Sequence, residues 1–289
     1  MHNPSPTFEA TMRMPVISPP APEAEGLSRL GVDYVRLKTA DGGDLYLTEF
    51  GLRFREHLHP DNWYAPDWFA ARRTRLPGTS VIYNVPTRPV HGFSLELVAR
   101  FSRVGEEVPL DTLTISQYPH AAFNSPFEEF ALVMQLRAAR AGSSRPRVLT
   151  KKPLAIYSPG ERLQLWQTGR WESTIAAKLA RHPEADLDIL RQYILLYGWI
   201  DGQDAMQTVD ALGLPGKSRA AFLADTTQRA IRDLEQHGFR MLDIKPQHIL
   251  LRLRPDGSLL RRRDGEPAYA LLDYELLERI RETDSATQP

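Results

Sequence analysis

Apolar residues interspersed with polar ones give strand-like runs over 33–38 and 44–50, on either side of Asp41-Gly42-Gly43. Two such runs joined by turn residues predict a β-hairpin, with ordered structure expected from near Gly31 onward. Residues 79–85 and 93–102 are rich in β-branched and aromatic side chains and flank a proline-containing turn, so they read as a second hairpin. Asn124-Ser125-Pro126 opens a helix, with a capping residue, a first-turn proline, and Glu128 and Glu129 at the positive helix end. Phe127, Phe130, Ala131 and Met134 then recur at helical spacing and form its buried face. Residues 148–157 read as one or two strands, and Trp171, Ile175 and Leu179 as a helix. The run 193–197 is a wholly apolar strand that leads into Gly198-Trp199-Ile200-Asp201-Gly202. Over 218–237 the pattern returns to helix, with Phe222, Leu223, Ala230, Ile231 and Leu234 inward and Gly238 at a left-handed cap. Strands are expected at 249–254 and 269–272. Strands dominate before residue 198 and helices after it, which predicts an α+β protein of two lobes with a cleft between them.

Composition narrows the chemistry. The 36 Lys+Arg balance 36 Asp+Glu, so there is no basic surplus and a nucleic-acid partner is not expected. The chain has no cysteine, which excludes disulfides, thiolate metal sites and cysteine nucleophiles. No apolar run reaches the roughly 18 residues of a membrane span. Residues 1–26 are proline-rich and lack a basic segment followed by an apolar core, so they read as a flexible leader rather than a signal peptide. A cytoplasmic location follows as the expectation. Residues 283–289 read as a disordered tail. Trp63, Tyr64, Trp68 and Phe69 are expected to anchor a core, and His57, His59 and Asp61 to lie in a surface loop rather than on a metal.

Two segments carry candidate chemistry. The first is Asp243-Ile244-Lys245-Pro246-Gln247-His248 with the apolar strand after it, and the second is Asp273-Tyr274-Glu275 at the end of another apolar strand. Phosphoryl transfer needs a carboxylate at the incoming hydroxyl, a cation near the moving phosphate, and a carboxylate that holds Mg²⁺. Asp243, Lys245 and Asp273 are residues of those types. The pair of segments resembles the catalytic and metal-binding loops of the protein-kinase-like superfamily, which also contains small-molecule kinases. The resemblance implies a strand-rich N-lobe (31–197) with insertions and a minimal, truncated helical C-lobe (198–282). It implies ATP and Mg²⁺ as cofactors, and a nucleotide partner beside an unknown phosphoacceptor or protein partner. It makes Asp243 the base and Asp273 a metal ligand, with His248 where the family carries a metal-binding asparagine. Arg100, in Leu97-Val98-Ala99-Arg100, stands where the family has a strand lysine, and its helix partner is Glu128 or Glu129. Lys152 with Glu172 is the alternative frame. Gly198 and Ile200 fall on the interlobe linker that borders the cofactor.

Departures from the family pattern set the range of functions. The glycine-rich loop is reduced to Gly78-Thr79-Ser80 and Gly92. The spacing between Asp243 and Asp273 exceeds the usual one, and a basic insertion over 255–266 absorbs the excess. Arg252, Arg254, Arg261, Arg262 and Arg263 gather there and read as a charge-protected sheet edge. The short stretch after Asp273 leaves no room for the later helices that carry a protein substrate, so peptide docking of the usual kind is not expected. The expectation is an atypical phosphotransferase. The alternative is a pseudokinase, altered at Arg100, His248 and the glycine loop, that acts as a nucleotide-binding or protein-interaction module.

Overall fold

A computed structural model describes residues 24–109, 118, 120–139 and 148–280. The leader up to residue 23 and the expected 283–289 tail lie outside the described residues. The class is α+β. Fourteen strands are described: β1 (Ala24–Arg29), β2 (Val32–Lys38), β3 (Asp44–Leu47), β4 (Thr74–Arg75), β5 (Ile82–Pro86), β6 (Glu96–Phe101), β7 (Leu149–Thr150), β8 (Pro153–Ser158), β9 (Ile194–Gly198), β10 (Gln203–Asp204), β11 (Phe239–Met241), β12 (Ile249–Leu251), β13 (Tyr269–Leu271) and β14 (Leu277–Arg279). The described helices are α1 (Glu49–Leu52), α2 (Arg55–Leu58), α3 (Pro66–Arg72), α4 (Pro126–Ala138), α5 (Glu172–Arg181), α6 (Ala205–Ala211) and α7 (Gly216–Gln236).

A fully antiparallel sheet of eight strands runs in the order β1-β2-β3-β8-β9-β6-β5-β4. Strand β9 lies at its centre, and alternate residues face opposite cores. Leu195 and Tyr197 pack toward α4, while Ile194 and Leu196 join Leu58, Trp63 and Phe69 of the α1–α3 segment on the other face. Burial on both faces is why 193–197 shows no polar alternation. Trp63 and Phe69 are core anchors as expected, and the Trp63 indole donates to the Leu58 carbonyl at 3.0 Å. His57 corrects the expectation of a surface loop: it is buried, with Nε2 3.0 Å from the Phe93 carbonyl.

Order also begins earlier than expected. Strand β1 starts at Ala24, inside the stretch assigned to the leader, and pairs with β2 along its whole length. Leu30 and Gly31, both at positive φ, form the two-residue turn between them. That turn matches the natural strand twist, and glycine accepts the conformation without strain.

The second sheet has the order β10-β12-β13-β7, and β11 pairs with β14 separately. Gly202 leads into it at φ +153°, and an added Cβ there would lie 2.5 Å from the Leu251 carbonyl oxygen. Helix α7 closes through the C-cap His237 and Gly238, the latter at φ +76°, as the sequence pattern requires. Strand β7 comes from before the boundary expected at 198 yet pairs in parallel with β13, which lies after it. In the basic insertion Arg252, Arg254, Arg261 and Arg263 are exposed, whereas Arg262 reaches Asp233 at 3.2 Å. Among the described residues no helix is long and apolar enough to cross a membrane.

The strand-edge region is fastened by Asp44, whose side chain is only 1% exposed. It accepts from Arg36 at 2.8 Å, Lys38 at 2.7 Å and Arg191 at 2.6 Å. Burial alone would push this carboxyl up, but those three partners outweigh it and hold it at about 2. A depressed folded value means that the network contributes fully above the unfolded carboxylate range and is lost as pH falls toward about 2. Asp44→Asn, which leaves three cations around a neutral amide, is expected to cost about 3 kcal/mol in urea unfolding at neutral pH. The deficit relative to wild type should shrink as the titration descends from about pH 4.

Candidate functional site

The register of β12 against β13 decides where the two chemistry-bearing segments go. Ile249 pairs with Leu271, and the Leu272 N–H donates to the His248 carbonyl at 3.0 Å. On the other side the Leu242 N–H donates to the Leu276 carbonyl at 3.1 Å, and Met241 pairs with Leu277. The Asp243–His248 and Asp273–Glu275 segments are therefore stitched together at one end of the hairpin. Asn124, just before α4, ties that end to the helix. Its side chain donates to the Tyr274 and Leu277 carbonyls at 3.0 and 2.8 Å.

Helix α4 starts with a reciprocal cap, in which Ser125 Oγ accepts from the Glu128 N–H and the Glu128 carboxylate from the Ser125 N–H. Glu128 is further occupied by Lys178 at 2.8 Å and His182 at 3.2 Å. One residue on, Glu129 is buried and faces the sheet. Arg100 lies on the same face of β6 as Val98, which packs toward α4. Its guanidinium forms one ion pair with Glu129 and another with Glu275. The partner of Arg100 on the helix is thus Glu129, and Glu275 is a second partner that the sequence did not reveal. The Tyr197 hydroxyl also donates to Glu129, and Ser80 Oγ donates to Glu275 at 2.9 Å. All the charged groups in this knot are at least nine-tenths buried.

Asp273 sits beside the knot with its side chain 31% exposed. Burial would raise it, but His248, Arg100, the Glu275 N–H and Lys151 prevail and hold it below the usual carboxylate range. Glu275 moves the opposite way. Burial pushes it up against the pull of Arg100, and the neighbouring Asp273 adds to the rise. The site thus keeps Asp273 as a ready anion. Asp243 is partly exposed, and Lys245 Nζ lies 2.9 Å from its Oδ1. His248 Nε2 stands 3.8 Å from Asp273 Oδ2.

The remaining candidates divide. Gly198 donates its N–H to the Lys152 carbonyl at 3.1 Å, and Trp199 donates to Glu96 at 3.1 Å. Ile200 makes no backbone hydrogen bond among the described residues, which leaves a donor and an acceptor on the linker. Lys152 and Glu172 are exposed and do not pair, so the alternative frame has no support. The residue missed is its neighbour Lys151, 5% exposed, whose Nζ lies 5.1 Å from the Tyr197 ring centre and 5.7 Å from that of Tyr274. Burial first, and then Arg100, push its ammonium down to about 7. A lysine within Lys-Lys-Pro carries no sequence signal of this kind. A cavity of about 970 Å³, lined in part by Tyr64, Ser80, Phe101, Arg103 and Tyr157, borders the knot at Ser80 and includes neither Asp243 nor Asp273.

Asp273 is chemically suited to Mg²⁺, which commonly takes one or two protein carboxylates and fills its shell with phosphate and water oxygens. His248 fits that ion poorly, since imidazole prefers softer metals. Among the described residues no group of three or more His, Asp and Glu side chains could hold a metal ion. No protein-family model matches the chain, and no curated protein matches it.

Removing the guanidinium would leave Glu129 and Glu275 buried without a counter-charge. Arg100→Met is therefore expected to lower unfolding stability by about 3–5 kcal/mol. Replacing all three charges with apolar residues should recover much of that loss in the same urea titration.

Proposed function

We propose that this chain is an atypical phosphotransferase of the protein-kinase-like kind, with a two-lobed arrangement, that moves the γ-phosphate of ATP to a hydroxyl acceptor. The observation that carries the reading is the stitching of the Asp243 and Asp273 segments to one hairpin end, beneath a sheet whose Arg100 pairs with Glu129 of α4. The free backbone groups of Ile200 supply an edge for the base, with Gly198 beside it. A cytoplasmic location fits an ATP-dependent activity.

In this reading Asp243 orients the acceptor hydroxyl and takes its proton as the acceptor oxygen bonds to the γ-phosphorus. The bond from that phosphorus to the β,γ-bridging oxygen breaks, and ADP leaves with the electron pair. Lys245 holds the Asp243 carboxylate at 2.9 Å and places positive charge beside the moving group. Asp273 is the protein ligand for Mg²⁺, which when bound neutralises phosphate charge. His248 has no metal role in this scheme. A second reading, a pseudokinase module, draws on the full commitment of Arg100 to two carboxylates.

Thermal-shift and phosphate-release measurements separate these readings. ATP with Mg²⁺ is expected to raise the melting temperature by several degrees at saturating ligand. Asp243→Asn should keep that shift while turnover falls by about 100-fold or more. A shift without turnover in wild type would favour the pseudokinase, and no shift with any nucleotide or divalent ion would overturn both.

A further inference from the structure

The phosphates of a nucleotide need a cation, and the cation expected from the sequence is not free to serve. Arg100 has one guanidinium nitrogen on Glu129 and another on Glu275, both buried. A guanidinium neutralised twice over is a poor phosphate ligand, because binding would require it to give up a buried counter-charge.

A second cation stands beside it. The parallel register sets Leu149 against Ala270 and Thr150 against Leu271, so the next residue, Lys151, arrives level with the approach to Asp273. Its backbone is fixed there, since the Lys151 N–H donates to the Tyr274 hydroxyl at 2.8 Å. Its side chain passes the Tyr197 and Tyr274 rings. Electrostatically it faces Arg100 from β6 and Asp273 and Glu275 from the segment after β13. Among the described residues its nitrogen has neither a hydrogen bond nor an ion pair within 4.0 Å. Burying an ammonium without such partners is costly, and two aromatic faces offset only part of the cost.

We propose that Lys151 is the phosphate-binding cation of this site, its ammonium contacting the non-transferred phosphate oxygens in place of the committed Arg100. The ligand class is a polyphosphate ester, and the proposal rests on the nucleotide reading above for the identity of the rest of the ligand. Arg100 then has an architectural task, holding sheet, helix and loop in register, while Lys151 supplies the charge.

The test is equilibrium binding of ATP, ADP, adenosine and inorganic triphosphate to wild type, Lys151→Met, Lys151→Gln and Lys151→Arg. The comparison uses the neutral variant that retains the wild-type circular dichroism spectrum. Loss of a charge-assisted contact is expected to weaken ATP and ADP about 10- to 100-fold and leave adenosine within about twofold, with partial recovery in Lys151→Arg. Equal loss for ATP and adenosine would make Lys151 a packing residue and overturn the proposal. If wild type binds triphosphate but no nucleoside, and the neutral variant loses triphosphate, the phosphate subsite stands and the nucleotide reading fails. If wild type binds none of the four ligands, both fall.

Discussion

Arg100 leaves the middle of the large sheet and ends between two buried carboxylates, Glu129 on α4 and Glu275 on the segment after β13. Three parts of the fold that are far apart in sequence are joined through this one side chain. The planar guanidinium is suited to the task because it presents separate donors to two acids at once, which an ammonium cannot do in the same geometry. Each acid is also held from elsewhere, Glu129 by Tyr197 and Glu275 by Ser80, so a shift in any one element would unpair a buried charge. Such a shift is costly in low dielectric, and that cost keeps α4, the sheet and the Asp273 segment in fixed relation.

The knot also sets the electrostatics next to it. Asp273, held below the usual carboxylate range, is partly open to solvent, while burial pushes the Glu275 carboxyl the other way against the pull of Arg100. Lys151 stands beside the Tyr197 and Tyr274 rings, within the field of Asp273 and Glu275 but without an ion pair to either. An open anion next to a cation that has no hydrogen-bonded partner is a combination that would suit a metal-bound polyphosphate, the ligand class proposed above. Asp243 and Lys245 complete the set from the other stitched segment.

What could be read from the sequence followed how local each signal was. The 193–197 strand was legible because a central strand buried on both faces must be apolar throughout. Helix α7 was legible from its apolar stripe and from Gly238 at its end. The Asp243 and Asp273 segments stood out because their residue types cluster within a few positions. Strand β1 did not, since Ala24–Arg29 is half-exposed at a sheet edge and owes its pairing to the Leu30-Gly31 turn. Strand β7 lies in the 148–157 run expected to hold one or two strands, but its parallel pairing with the distant β13 left no local signal. Lys151 and Glu275 acquire their meaning only through partners distant in sequence, and neither residue type announces burial.

The central claim is that Asp273, Lys151 and the linker at Ile200 together bind one nucleotide. A crystal structure with a non-hydrolysable ATP analogue and Mg²⁺ tests it most directly. The base is expected against the Ile200 backbone, the metal on Asp273, and the Lys151 ammonium within hydrogen-bonding distance of a phosphate oxygen. A nucleotide bound in the cavity near Tyr64 and Arg103, or phosphates held by Arg100 after release from Glu275, would contradict it.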